Sequence, residues 1–252
     1  MKRAGFRVLL IGLAALSISS AASQIPVEVR HAPDGGTKTI ITSIFIPPLP
    51  NAPFTATVNT EWTRRLDDGT TIVLKNHRTV ARDSAGRIFE ERRALTADGD
   101  RHQTRITQLE FSDPSSHEKY VCNPAERVCV LQNYFTPTSI VPAHAPAPGS
   151  LGPAIRSEDL GHDYIGNLDT IGTRETTTFA PGAMGNDHPI ALVKEFWFSP
   201  QLGVNLVVHR VDPRSGAEDF RVTNIGLGEP DPKMFDPPGD FRVVDARKPA
   251  AQ

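Results

Sequence analysis

Apolar and polar residues alternate along most of this chain in short runs, and each run ends in residues that favour a tight turn. The sequence Asp67-Asp68-Gly69, for example, is a hairpin signal between the runs FTATVNTEWTRRL and TIVLKNHRTVARD. Later runs end at the turn-forming segments 84–86, 200–203 and 213–216. Because no helical segments alternate with these runs, the pattern argues against a parallel α/β fold. It predicts a mainly β protein in which residues 54–245 form a single curved antiparallel meander sheet, an open half-barrel, with few short helices.

The first 23 residues have a different pattern. A basic start is followed by a short apolar run from Val8 to Leu16 and then by small residues before Gln24. This order is typical of a secretory signal peptide, and the apolar run is too short for a membrane span of about 20 residues. The alternative is an uncleaved N-terminal anchor. We expect residues 1–23 to be removed, which leaves no transmembrane segment and places the mature protein in the periplasm or outside the cell.

Three further segments fall outside the predicted sheet. Residues 24–53 are irregular and proline-rich, and their IPPLPNAP passage cannot form a central strand or a helix, so it is expected to lie across the sheet surface. Residues 135–157 are rich in proline, alanine, glycine and serine, which predicts a flexible insertion that is either a plain spacer or a mobile lid. Residues 246–252 are predicted to be a disordered tail.

Cys122 and Cys129 are the only cysteines, and Asn123-Pro124 begins a turn between them. A hairpin through this turn would bring the two thiols alongside each other. In an oxidising compartment this arrangement predicts a disulfide. The alternative is a metal or redox pair, but the spacing is not CxxC and no histidine lies nearby at ligand spacing.

The strands of the first half carry many charged residues, so one face of the sheet is predicted to meet water or to line a wet groove. Interleaved with the acids Glu61, Asp83, Glu90 and Glu91 are the arginines Arg64, Arg65, Arg78, Arg82, Arg92 and Arg93. An anionic ligand is one interpretation of the arginines. The interleaved acids favour the other interpretation, which is cross-strand charge pairs on the sheet surface.

None of the spacings that mark common catalytic sites is present. There is no GxSxG, P-loop, HExxH or calcium-loop pattern. The pairs His162-Asp163 and Asp187-His188 each put an imidazole next to an acid, but adjacent strand residues point to opposite faces. The chain is therefore predicted not to be an enzyme and to use no metal or cofactor. A formal net charge of −2 provides no field that favours nucleic acid, so none is expected as a partner.

Four large aromatic residues lie on predicted strands: Trp62, Phe196, Trp197 and Phe198. Strand alternation puts Phe196 and Phe198 on one face and Trp197 on the other. A sheet that curls into a half-barrel would present some of these side chains to a ligand, and they are the candidate ligand-binding residues. The alternative is that they fill the core.

The chain resembles a group of uncharacterised secreted proteins of soil bacteria of the Acidobacteria type, at the motifs FIPPLPNAPFTATVNTEW, DSAGRIFEERR, YVC…VC and YIGNLDTIGTRETTTF. More remotely, the order of strands, interruption and FWFSPQLGVNLVVHRVDP is similar to the LolA/RseB-like fold of lipoprotein carriers and sigma regulators. The second resemblance implies an incomplete β-barrel whose concave face binds an apolar chain.

These features predict a secreted or periplasmic, non-enzymatic envelope protein that binds a hydrophobic or amphipathic ligand, with a lipid or lipoprotein as its partner. The alternative is an interaction module that contacts another envelope protein through its sheet surface or through the 135–157 loop.

Overall fold

The computed structural model describes residues 34–35, 43–135 and 152–247, so the predicted signal peptide and most of the predicted insertion lie outside the described residues. The described residues form β-strands and one 3-10 turn, Pro232–Phe235. The strands are β1 (Asp34–Gly35), β2 (Ser43–Ile44), β3 (Phe54–Arg65), β4 (Thr71–Arg82), β5 (Ile88–Arg93), β6 (Ile106–Asp113), β7 (Glu118–Asn123), β8 (Val128–Asn133), β9 (Ala154–Ile165), β10 (Leu168–Phe179), β11 (Ile190–Ser199), β12 (Val204–Asp212), β13 (Gly216–Gly226) and β14 (Arg242–Asp245).

Strands β3 to β14 form one open twelve-stranded sheet in the order β14-β8-β7-β6-β5-β4-β3-β13-β12-β11-β10-β9. The sheet joins two consecutive meanders, β3–β8 and β9–β13, because β13 pairs with β3. Strand β14 crosses to the far edge and runs parallel to β8, whereas the other described neighbours are antiparallel. Register shifts interrupt the β5–β6, β9–β10, β11–β12 and β13–β3 pairs, and irregularities of this kind bend and twist a sheet. The predicted fold class is confirmed.

The predicted turns lie between the strands, and two of them depend on particular residues. The β9–β10 hairpin closes through Gly166 and Asn167, whose φ angles of 57° and 64° match the turn type that fits the twist of a two-residue hairpin. Glycine and asparagine tolerate these angles better than other residues. At the start of β13, Gly216 has a φ of 107°, and a Cβ there would lie 2.2 Å from the carbonyl oxygen of Thr63. Only glycine fits at that position.

One side of the sheet, here called the inner face, carries the main hydrophobic core. It is the side of Phe54 and Val80, and it receives apolar side chains from both meanders. The segment 43–53, here called the strap, supplies Ile44 and Ile46 to the same cluster, where they are 1% and 3% exposed. The IPPLPNAP passage, which is residues 46–53 of the strap, was expected to lie across the sheet surface, and its first residue, Ile46, is buried in the core. The strap fills part of the apolar area of the inner face.

In β5–β8 most of the buried apolar residues lie on the opposite side, here called the outer face, although Ile88 of β5 belongs to the inner-face cluster. Phe111, Cys122 and Cys129 form this second cluster, and Phe89 and Phe241 pack against it. Cys122 and Cys129 are direct cross-strand partners in the β7–β8 register and form the predicted disulfide. The outer-face cluster therefore gives the first meander a core of its own.

Arg82 contradicts the prediction that the arginines form cross-strand charge pairs. Its fully buried guanidinium donates hydrogen bonds to the carbonyl oxygens of Ala52 (3.0 and 2.7 Å), Pro47 (2.8 Å) and Leu202 (2.7 Å). The cation also lies 5.1 Å from the centroid of the Phe54 ring. Arg82 thereby joins the strap to the turn between β11 and β12. The strand pattern alone does not reveal this role, because the carbonyls come from distant segments.

The boundaries of two irregular segments also differ from prediction. Strand β9 begins at Ala154, so residues 154–157 of the predicted insertion belong to the sheet. Its ladder with β10 supplies the backbone partners that local composition does not reveal. In the predicted C-terminal tail, the Arg247 guanidinium donates to a Glu118 carboxylate oxygen at 2.7 Å. Residues 248–252 lie outside the described residues.

Candidate binding face

The strand register distributes the four candidate aromatic residues between the two faces. Trp62, Phe196 and Phe198 lie on the inner face, and Trp197 lies on the outer face. Phe196 is 1% exposed and belongs to the core cluster. The Trp197 ring lies over Gly172, where a Cβ would come within 2.9 Å of two ring carbons. The part these residues play in binding stays a prediction.

Trp62 is the inner-face aromatic residue best placed to report on a ligand. Its ring is half-buried, and its Nε1 donates a hydrogen bond to the carbonyl oxygen of Ser215 at 3.1 Å. In the register it lies directly opposite Glu218 on one side and Leu74 on the other. Trp62 is therefore fixed in orientation at the border between apolar and charged positions of the inner face.

Charged side chains line the inner face of the first meander. The inner charge cluster consists of Arg78, Glu90, Arg92, Glu110 and Lys119. Arg78 Nη1 lies 3.6 Å from Glu90 Oε1, Arg92 Nε lies 3.0 Å from Glu110 Oε1, and Lys119 Nζ lies 2.5 Å from Glu110 Oε2. The side chains of Arg78 and Glu110 are 4% and 8% exposed. The cross-strand charge pairs predicted for Arg78 and Arg92 are present, but the pairs are buried or half-buried.

Burial and proximity perturb the ionisation of this cluster. Burial, with the neighbouring Arg92 cation as the second cause, lowers the pKa of Arg78 to about 10. Burial by itself raises the pKa of Glu110, but the cations of Arg92 and Lys119 outweigh it and lower that pKa to about 2. The charge pattern of the sequence singled out Arg78, Glu90 and Arg92, but not Glu110 and Lys119. The burial of the cluster could not be predicted, because it depends on side chains from four different strands.

The inner face of the second meander carries a corresponding row of charged residues. Glu175, Lys194, Arg210 and Glu218 follow one another directly across β10, β11, β12 and β13. The side chains of Arg210 and Glu218 are 13% and 5% exposed, and their charged atoms lie 3.5 Å apart. Burial lowers the pKa of both Lys194 and Arg210. The inner face is thus apolar beside the strap and charged farther along both meanders.

Several buried polar atoms of the inner face have no hydrogen-bond partner within the described residues. They include Asn76 Oδ1, Thr173 Oγ1 and the Tyr134 hydroxyl. Asn76, Thr173 and Tyr134 are 6%, 4% and 9% exposed. Native proteins leave few buried polar groups unpaired, and such groups mark places where water or a polar ligand group completes the bonding.

The histidines do not converge on a reaction centre. His162 and His188 have side chains 67% and 86% exposed, with acids at 3.6 and 3.1 Å. His162 pairs with position 171 of β10, and the loop of His188 joins the other end of that strand at position 179, roughly 26 Å away at the rise of a β-strand. His209 Nδ1 lies 2.6 Å from Asp219 Oδ1, a cross-strand pair that sequence analysis missed because the partners lie on different strands. It lies on the outer face, away from the inner charge cluster.

The described segments contain neither a metal-binding cluster nor a membrane-spanning helix. In residues 34–35, 43–135 and 152–247, no group of three or more His, Cys, Asp or Glu side chains is arranged to hold a metal ion. The same residues contain no helix long and apolar enough to cross a membrane.

No protein-family model matches this chain, and no curated protein does either. Solved structures that resemble it include the MucA/MucB complex of Pseudomonas aeruginosa (12% identity, 77% of this chain, TM-score 0.40), and this chain spans 58% of the matched chain there. A LolA superfamily protein of Nitrosomonas europaea matches with 11% identity over 75% of this chain and 91% of its own, with a TM-score of 0.27. The lipoprotein LppX of Mycobacterium tuberculosis matches with 12% identity over 70% and 88%, with a TM-score of 0.29. The neighbours thus include the LolA type to which the sequence resemblance pointed, and at this identity and TM-score they say nothing about a ligand.

Proposed function

We propose that this protein is a non-enzymatic protein of the periplasm or extracellular space that binds an amphipathic ligand, such as a lipid or lipoprotein, on the inner face of its sheet. The observation that carries the proposal is the composition of that face. Apolar positions beside the strap continue directly into buried charged positions on both meanders. A ligand with an apolar chain and a polar group matches both parts.

The buried polar atoms add a second argument. Asn76 and Thr173 belong to one row of directly opposed residues that crosses the sheet from β4 to β10. Their unpaired Oδ1 and Oγ1 atoms therefore lie at the border between the apolar cluster and the neighbouring charged row that contains Glu218. A polar ligand group at this border would satisfy atoms that otherwise lose hydrogen bonds on burial. An all-apolar ligand would leave them unpaired, so the proposed ligand is amphipathic rather than purely hydrophobic.

A second candidate function is an interaction module for another envelope protein. The strap favours it, because Ile44 and Ile46 already occupy part of the apolar area that a lipid chain would use. In that case the binding surface is the sheet itself, and the inner-face core serves only stability.

The two tryptophans allow a direct test, since the chain has only two and they lie on opposite faces. In the variant Trp197→Phe, the remaining Trp62 reports on the inner face. In the matched variant Trp62→Phe, the remaining Trp197 reports on the outer face. A fatty acid that carries a nitroxide quencher on its chain is titrated into each, and native mass spectrometry counts the bound lipid.

The proposal expects saturable quenching of Trp62, little quenching of Trp197 and a lipid adduct of fixed stoichiometry. Quenching confined to Trp197, or no adduct after incubation with envelope lipid extract, contradicts the proposal. The interaction module instead predicts no lipid adduct and a protein partner that stays bound after washing with detergent.

A further inference from the structure

The two ends of the sheet are built differently. Strand β14 has four residues, follows Pro237 and Pro238, and adjoins Arg247, which is held by Glu118 and Asp245. Such an edge is short and protected. Strand β9 has twelve residues, and among the described strands it pairs only with β10.

Strand β9 lacks two of the features that protect an edge strand, a short length and proline or lysine residues. It contains no proline and no lysine, and most of its residues are exposed. A long edge strand offers a row of backbone N–H and C=O groups to another strand. Its one irregularity is a bulge, since Gly161 pairs with Gly172 and Asp159 pairs with Thr173, which leaves Leu160 unpaired.

This bulge determines which residues turn their backbone groups away from β10. In an antiparallel ladder, the residues of a strand alternate between pointing toward a neighbour and away from it. The Asp163 carbonyl oxygen accepts a hydrogen bond from the Thr170 hydroxyl of β10, so the backbone of Asp163 faces β10. The backbone N–H and C=O groups of its neighbours Tyr164 and His162 therefore point away from β10. Beyond the bulge, the alternation of the backbone groups shifts by one residue. The N–H and C=O groups of Ile155 and Ser157 therefore also point away from β10.

The shift makes β9 complementary to itself. We propose that β9 pairs antiparallel with β9 of a second copy of this chain, about a two-fold axis between Asp159 and Leu160. Ile155 then faces Tyr164 of the second copy, and Ser157 faces His162. All of these residues have outward backbone groups, so they form hydrogen-bonded pairs, about eight bonds in all by symmetry. Each of these pairs joins an odd-numbered residue of one copy to an even-numbered residue of the other. In a strand without a bulge, the residues with outward backbone groups would be all odd-numbered or all even-numbered, so the same pairs could not be hydrogen-bonded.

The side chains agree with the register. Between the hydrogen-bonded pairs, Arg156 faces Asp163 of the second copy, where opposed side chains come closest. Both project to the outer face, since they pair with Thr176 and Thr170 of β10. The Arg156 side chain is 78% exposed and has one close acid, Glu158 at 3.6 Å. Two such pairs of opposite charge form across the axis, and no like charges face each other directly.

The apolar pair lies on the inner face at both ends of the contact. Ile155 is 41% exposed and Tyr164 is 75% exposed, which leaves apolar surface on an otherwise polar edge. In the single chain, the outward Tyr164 N–H donates a hydrogen bond of 2.8 Å to Oδ1 of its neighbour Asp163. In the dimer, the Ile155 carbonyl oxygen of the second copy accepts the hydrogen bond from this N–H instead. The Asp163 carboxylate is then free to pair with Arg156 of the second copy.

Sedimentation velocity over a wide concentration range tests the proposal on the purified protein. We expect a reversible dimer whose dissociation constant rises about tenfold or more in Arg156→Asp and in Asp163→Arg, because each variant replaces two attractive pairs by two repulsive ones. The double variant Arg156→Asp/Asp163→Arg reverses both charges and is expected to regain the original dissociation constant. Arg242→Asp, on the protected edge β14, is the matched control and should change nothing.

A cysteine test locates the register. Arg156→Cys and Asp163→Cys variants, mixed and oxidised, are expected to form a covalent heterodimer, because non-hydrogen-bonded pairs lie within disulfide distance. Each variant alone should crosslink far less. A chain that stays monomeric at all concentrations, or a dimer that ignores both charge reversals, overturns the proposal. This result is independent of ligand binding, since the nitroxide titration reports on the inner face and not on the edge.

Discussion

Replacement of Arg82 by methionine should destabilise the protein more than any replacement of a surface arginine. Methionine keeps the apolar stem and removes the guanidinium that bonds the carbonyls of Pro47, Ala52 and Leu202. The strap then loses its connection to β4 and to the β11–β12 turn. No carboxylate is left unpaired, because the three partners are backbone carbonyls.

The magnitude follows from those three acceptors. The Arg82–Leu202 bond is buried and the others are partly buried, so Leu202 loses the most when its donor disappears. A buried acceptor without a partner costs about 1–3 kcal/mol, and a half-buried one costs about 1 kcal/mol because water reaches it. The sum is about 3–5 kcal/mol, which lowers Tm by roughly 10 °C for a chain of this size.

Urea unfolding followed by tryptophan fluorescence measures this loss. Arg174→Met is the matched control, since Arg174 pairs with Glu195 at 2.7 Å on the outer face with a side chain 38% exposed. An exposed pair of this kind contributes little to stability, because water and salt screen it. A loss for Arg82→Met no larger than the loss for Arg174→Met would refute the role assigned to Arg82.

The remaining predictions concern the charge cluster and a turn. Glu110 has a folded-state pKa of about 2 against an ordinary 4.5, so its contribution of about 3 kcal/mol is complete above pH 4.5 and disappears as the pH falls toward 2. Glu110→Gln should therefore be less stable than wild type in urea unfolding at pH 7 and equal to it near pH 2; an equal deficit at both pH values contradicts this. Gly216→Ala should cost about 3 kcal/mol in thermal unfolding, from its positive φ and its clash with the Thr63 carbonyl. The control Gly69→Ala has a φ of 85° and open space, so it should cost only about 1 kcal/mol, and equal losses would exclude the clash.

The strap changes how the ligand hypothesis is to be understood. From the sequence, the IPPLPNAP passage was expected to lie across the sheet surface, and the aromatic strand residues were expected either to face a ligand or to fill the core. In the structure, Ile44 and Ile46 occupy the apolar area and Phe196 is part of the core. The part of the inner face that extends beyond the strap carries Trp62 and the charged rows. The ligand is therefore expected to bind at that part of the inner face.

The fold class and the succession of hairpins along the chain could be predicted because they depend on local chemistry. Alternation of apolar and polar residues, with turn residues such as Asp68-Gly69 and Gly166-Asn167, limits the backbone to hairpins. The disulfide was predictable for the same reason, since Cys122 and Cys129 lie on one short hairpin. Local signals also correctly indicated the faces of Phe196, Trp197 and Phe198.

Sequence alone therefore determined a β meander with its turns, its disulfide and the alternation of its strands. The three-dimensional arrangement of the chain decided that β13 joins β3, that the buried apolar side changes from the inner to the outer face within the first meander, and that Arg82 binds carbonyls from segments 30 to 120 positions away. It also decided which charges are buried. The physical reason is that burial and long-range pairing depend on neighbours brought together by the whole sheet, whereas turns and alternation depend only on adjacent residues.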